Sequence, residues 1–248
     1  MNRLITILLF CFNLTDGLCG LSEYIDIKEY TVNLYDDARN RVIPVAVYCK
    51  DDSKDQKVVI FSHGYGQNKG GDYLYYSHIN RELAKQNYFV ISIQHELPSD
   101  ELLAMEGNLY EARMPNWERG VENILFVFHE FGKMKPELNW KHVSLVGHSN
   151  GGDTVMLFAS KYPRYIANAI SLDNRRMPLP RTNTPKVFSI RAFDYPADEG
   201  VIPSPEEQEK FKIQIIQLNN VKHSEMDNDA SEAQSVEING YLLNFLKN

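Results

Sequence analysis

The stretch Val143–Pro163, "VSLVGHSNGGDTVMLFASKYP", changes character at a single serine. Up to Gly147 it reads as a buried strand, and from Asn150 its apolar residues take helical spacing until Pro163 stops them. The turn between them is the pentapeptide Gly147-His148-Ser149-Asn150-Gly151, a G-x-S-x-G pattern. So tight a strand-to-helix turn forces the serine into a strained backbone conformation, and glycines two residues to either side remove side chains that would clash. The hydroxyl then stands above the C-terminal edge of the sheet, where the N–H groups at the start of the helix also point. The plainer alternative is a tight β–α connection with no chemistry attached.

Strands and helices alternate on both sides of this turn. "EYTVNLYDD" and "RVIPVAVYC" read as an antiparallel hairpin. The charged run "KDDSKDQK" reads as a solvated turn, and Val58–Gly64 as a continuously apolar, buried strand. A helix in "DYLYYSHINRELAKQ", a strand in "NYFVISIQ", a long amphipathic helix in "NWERGVENILFVFHEFGKM" and the strand "HVSLVG" come next. After the serine turn, "IANAISLD", "KVFSIRAFD" and "FKIQIIQLN" are strands and "SEAQSVEINGYLLNFLKN" is a closing helix. This alternation predicts an α/β domain with a mostly parallel central sheet, helices on both faces and an antiparallel N-terminal hairpin.

The first twenty residues stand apart. "MNRLITILLFCFNLTDGLCG" has Arg3 near its start, an apolar run from Leu4 to Leu14 and small residues at Gly17, Cys19 and Gly20, the pattern of a cleaved secretory signal peptide. The apolar run is too short to span a bilayer comfortably, so stable membrane insertion is not expected. The alternatives are a buried N-terminal strand and a lipoprotein anchored through Cys19, which bulky Leu18 disfavours. The expected organisation is a signal peptide over residues 1–20 and a single domain over 21–248, secreted or periplasmic. Cys11 and Cys19 would leave with the signal, so Cys49 would remain alone, read as a packed thiol with no intramolecular disulfide to make. No CxxC or HExxH spacing supports a metal, no cofactor is implied, and a net charge of −7 gives no reason to expect nucleic acid as a partner. Oligomeric state is left open.

A serine hydroxyl is a weak nucleophile that needs a base, and the base needs an orienting carboxylate. Downstream of Ser149 the only histidine is His223, in the loop "NNVKHSEMDNDAS" after the last expected strand. For the carboxylate, Asp194 ranks first because it ends "KVFSIRAFD", one strand before His223. Asp198, with Glu199 beside it in "YPADEGVIP", ranks second, and Asp173, at the end of an earlier strand, third. Each can also be read as an ordinary cap or turn residue. Donors for a developing oxyanion would be the backbone N–H groups of Asn150 and of Tyr65 in "SHGYGQNKGG", with His63 supporting that loop. A phosphate-binding loop is disfavoured there, since no G-K-[ST] follows.

In this order "FSHGYG", "VGHSNGG", "RAFDYPADEGVIP" and "KHSEMDND" resemble the landmarks of α/β-hydrolases, from roughly Tyr30 to the C-terminus. The hairpin "DDARNRVIPVAVY" is similar to that of the esterase-like and dienelactone-hydrolase-like branches, although dienelactone hydrolases carry a cysteine where this chain has Ser149. The resemblance implies a serine hydrolase of carboxylic esters, acting on a small-molecule or lipid-like substrate. Ser149 would be the nucleophile, His223 the base and Asp194 the acid. An amidase or peptidase, and a noncatalytic binding protein with the same fold, are the competing functions. The segment "HELPSDELLAMEGNLYEARMP" is too short for a large cap domain, so a small lid or open cleft is expected. Tyr65, Leu102, Leu103, Met105 and Trp117 could line an apolar pocket, and Arg113 could meet a substrate carboxylate.

Overall fold

The hairpin predicted at the N-terminus forms at full length: β1 (Ile27–Asp36) pairs antiparallel with β2 (Arg41–Lys50), from Ile27 opposite Lys50 to Asp36 opposite Arg41. Asp36 closes its turn by accepting from the N–H groups of Ala38 and Arg39 at 3.1 and 3.3 Å. This is a computed structural model, in which residues 27–50 and 55–247 are described; the expected signal peptide lies outside them.

Six more strands complete the sheet among the described residues: β3 (Lys57–Ser62), β4 (Tyr88–Ile93), β5 (Asn139–His148), β6 (Asn168–Leu172), β7 (Lys186–Arg191) and β8 (Gln214–Gln217). Their spatial order is β1-β2-β4-β3-β5-β6-β7-β8. β2 runs antiparallel to β1 and to β4, and every pairing from β4 to β8 is parallel. The order reverses at β3, where the chain steps outward to β4 and then crosses back to β5. Loops leaving β3 and β5 therefore diverge and leave a crevice at the C-terminal edge.

Alternate residues of each strand feed two separate apolar layers, as a period of two requires. On one face Val58 and Ile60 of β3 and Val143 and Leu145 of β5 meet the helices α2 (Leu109–Met134) and α3 (Asn150–Lys161), which contribute Trp117, Val121, Ile124, Val155 and Phe158. On the other, Val59, Phe61 and Val146 meet α1 (Ser77–Lys85) and α5 (Glu232–Lys247) through Ile79, Leu83, Ile238 and Phe245. Phe245 stacks on Phe188 of β7 with ring centroids 4.5 Å apart, a contact that adds about 1 kcal/mol beyond its buried area. Cys49 is buried in the first layer.

Three helical details differ from the sequence reading. The expected helix over 72–86 is split into a 3₁₀ turn at Asp72–Leu74 and α1, which leaves Tyr76 between them. α2 starts at Leu109 rather than Asn116, because Asn108 caps it by accepting from the Glu111 N–H, and Pro115 lies inside it. A short helix, α4 (Pro205–Phe211), occupies the segment before β8, started by a reciprocal capping box between Ser204 and Glu207. With α2 extended, residues 94–108 remain as loop, so no cap domain stands over the crevice among the described residues. No helix among the described residues is long and apolar enough to cross a membrane.

Candidate active site

Ser149 sits between β5 and α3 with φ 53° and ψ −120°, the strained geometry anticipated for it. The neighbouring glycines are obligatory. A Cβ on Gly147 would lie 2.3 Å from the Gly151 carbonyl oxygen, and one on Gly151 would lie 2.3 Å from the Ser62 carbonyl oxygen. The turn is thus wedged against the end of β3, and its hydroxyl projects into the crevice.

His223 opens a 3₁₀ turn beyond β8, and its Nε2 lies 2.9 Å from Ser149 Oγ. Its Nδ1 lies 2.6 Å from Oδ2 of Asp173. Asp173 is completely buried, and its other carboxylate oxygen takes the Arg191 guanidinium at 2.8 Å and the Ala192 N–H at 3.2 Å. With this carboxylate oxygen as the acceptor, Nδ1 carries the proton and Nε2 is free to accept from the serine.

This corrects the ranking of the carboxylates. Asp194 does not meet the imidazole; its Oδ1 accepts the backbone N–H of His223 at 2.8 Å and so anchors the loop rather than the ring. Asp198 pairs with Arg176 at 3.2 Å, and Glu199 is exposed. The reason is strand order. β6 is the direct neighbour of β5, with His148 opposite Leu172, and the Ser149 N–H donates to the Leu172 carbonyl at 2.9 Å. The residue after Leu172 is therefore brought beside the residue after His148. Strand β7, which leads to Asp194, lies one strand farther out, about 10 Å from β5.

In the sequence His148 is only an open position of the pentapeptide. It is buried, and desolvation followed by the proximity of His223 lowers its pKa to about 3, so the ring is neutral. Its Nε2–H donates to the His223 carbonyl at 3.0 Å, which leaves Nδ1 to accept from the Tyr76 hydroxyl at 2.8 Å. That hydroxyl in turn accepts the Gly64 N–H at 2.9 Å. One continuous chain of hydrogen bonds thus ties the loop after β3, the serine turn and the histidine loop together.

Tyr65 follows Gly64 in the loop after β3, and its hydroxyl accepts the Leu103 N–H at 3.0 Å. His63 supports this loop: Nδ1 donates to the Gly64 carbonyl and Nε2 accepts the His95 N–H at 3.0 Å. Asn150, the first residue of α3, has a backbone N–H with no partner inside the helix. Its side chain is clamped by Trp117 Nε1 at 2.7 Å, Asn116 Oδ1 at 2.8 Å and Glu96 Oε1 at 3.1 Å. Trp117 is fully buried, so it supports Asn150 instead of lining a pocket.

Two cavities meet at Ser149. One, of about 280 Å³, is bordered by His223, His148, Tyr76, Tyr75, Asp72 and Asp227. The other, of about 210 Å³, lies on the Asn150 side and is bordered by Leu103, Met105, Asp153, Arg113, Arg175 and Arg176. Tyr65 lines both. Leu102, expected to line a pocket, is 71% exposed. Among the described residues no cluster of histidine, cysteine or acidic side chains could hold a metal ion.

No family model matches this chain, and no curated protein matches its sequence. Solved structures do match. A dienelactone hydrolase-like promiscuous phosphotriesterase from metagenomic libraries superposes with a TM-score of 0.66 at 16% identity, over 89% of this chain and 98% of its own. The dienelactone hydrolase of Anabaena variabilis gives 0.62 at 12% identity, covering 89% and 97%. An esterase from the fungus Rhizomucor miehei gives 0.63 at 14%, covering 90% and 83%. The mixed sheet, its antiparallel hairpin and its two helical layers are those of an α/β-hydrolase fold.

Proposed function

We propose that this protein is a serine hydrolase of carboxylic esters that works through an acyl-enzyme. The observation that carries the reading is the chain Ser149–His223–Asp173, with separations of 2.9 and 2.6 Å, built on a serine held at φ 53°. His223 Nε2 takes the proton of Ser149 as Oγ attacks the acyl carbon, and Asp173 holds the imidazole in the required tautomer and stabilises the imidazolium. The carbonyl oxygen, now negative, is received by the N–H groups of Tyr65 and Asn150. Collapse expels the alcohol, which takes its proton from Nε2. Water then attacks the acyl carbon with His223 as base and frees Ser149 as the acid departs. The esterases and dienelactone hydrolases among the structural neighbours support an ester as the bond cleaved.

The test is labelling with a fluorophosphonate, followed by peptide mapping and a comparison of p-nitrophenyl esters with aminoacyl-anilides. An adduct on Ser149 that is lost in His223→Ala, with ester turnover, is the expected result. A folded protein that neither labels nor turns over esters overturns the proposal, and turnover of anilides alone replaces the ester with an amide.

A further inference from the structure

The two cavities at Ser149 carry opposite charge, and their positions say which limb of a substrate enters each. His223 borders only the first cavity, with Asp72 and Asp227. A leaving alcohol must receive its proton from His223, so it departs on that side, and the acyl chain extends into the second cavity. This rests on the hydrolase reading given above.

The acyl side is ringed by Arg113, Arg175 and Arg176. Arg113 Nε donates to the Ala104 carbonyl at 2.9 Å, and no carboxylate pairs with Arg113 among the described residues. Its pKa is lowered by burial first and by Arg176 next, with Asp153 and Asp198 opposing the shift. Arg175 lies 4.5 Å over the Tyr195 ring and likewise makes no ion pair among the described residues. Arg176 is paired with Asp198 at 3.2 Å, but its buried Nε has no hydrogen-bond partner. The carboxylate inside this cavity, Asp153, is turned into the protein, where one oxygen accepts the N–H groups of Arg176 and Met177 at 2.9 and 2.8 Å. Counted at full formal charge, Asp153 and Asp198 against the three arginines still leave one positive charge over, and burial pushes the Asp153 carboxyl toward its neutral form.

We propose that this cavity binds an acyl group ending in a carboxylate, so that the preferred substrates are monoesters of short dicarboxylic acids. Leu103 and Met105 cover the methylene chain, and Arg113 and Arg175 receive the terminal carboxylate, whose planar shape suits the guanidinium fork.

The test compares two aryl esters of matched size, mono-4-nitrophenyl glutarate and 4-nitrophenyl 5-methylhexanoate, with buffer hydrolysis subtracted. The first should show a kcat/KM about 10- to 100-fold higher, the range for charge-assisted hydrogen bonds in a partly buried site. That ratio should fall in Arg113→Met and Arg175→Met, recover in part in Arg113→Lys, and stay unchanged in Arg164→Met, which removes an exposed cation elsewhere. A wild-type ratio of one or less overturns the acyl-carboxylate assignment and leaves the hydrolase reading standing. A high ratio that survives both methionine variants overturns the arginine assignment. Turnover of neither ester overturns both readings.

Discussion

The imidazole of His223 rests on Asp173, 2.6 Å from Nδ1 to Oδ2, while its backbone N–H rests on Asp194, 2.8 Å away. Two aspartates thus hold one histidine, one by its ring and one by its main chain. Asp173→Asn should lower kcat by about 10³- to 10⁴-fold, because an amide favours the wrong tautomer. Asp194→Asn keeps an acceptor for the N–H and should cost less than about tenfold. Steady-state kinetics on variants with matched melting curves decides between them; a larger loss at Asp194 returns the acid to that position.

His148 ties stability to pH. Its folded pKa of about 3 lies below the ordinary 6.5, so between those values the unfolded chain binds the extra proton. Stability contributed by the neutral ring is present above pH 6.5 and is lost as pH falls toward 3, at about 1.4 kcal/mol per pH unit. Urea unfolding of wild type and His148→Gln at pH 7, 5.5 and 4.5 measures this. The variant should show the shallower slope; His95 and His78, both depressed by burial, and the lowered carboxylates of Asp36 and Asp100 contribute to the slope that remains.

Trp117 is hydrogen-bonded to the serine turn through Asn150. Trp117→Phe keeps the ring in the core but removes the 2.7 Å bond to Asn150 Oδ1. It should reduce kcat by about tenfold with KM little changed, the result of a loosened oxyanion donor rather than a lost binding contact. An unchanged kcat would separate the Asn150 side chain from catalysis.

Two glycines in helices should respond oppositely to alanine. At Gly151 the added methyl meets the Ser62 carbonyl oxygen at 2.3 Å, so the variant should lose several kcal/mol or fail to fold. Gly240 is exposed on α5 with open space around it, and alanine there should stabilise by about 0.5–1 kcal/mol. Denaturant midpoints of the two variants give the comparison.

The order of strands along the chain, the hairpin, the serine turn and the histidine could be read from residue pattern, because each is a local signal. What decided the acid is spatial order, which a linear pattern does not carry. "IANAISLD" and "KVFSIRAFD" both end in aspartate, and only the pairing of β6 with β5 selects the first. The same holds for His148, an open letter of a motif until Tyr76 and His223 are brought to its two nitrogens. The start of α2 is hidden in the sequence because Pro115 stands inside the helix, six residues past Leu109, where a proline ordinarily marks a boundary.

The bond from Ser149 N–H to the Leu172 carbonyl has a kinetic meaning as well. No loop separates Asp173 from β6, so its placement is inherited wholly from the register of one five-residue strand. A slip by a single residue would turn every β6 side chain to the opposite face. During refolding, recovered turnover therefore requires that β6 has already locked between β5 and β7 in its native alignment. Activity, if measured through refolding, should never precede the assembly of the central sheet.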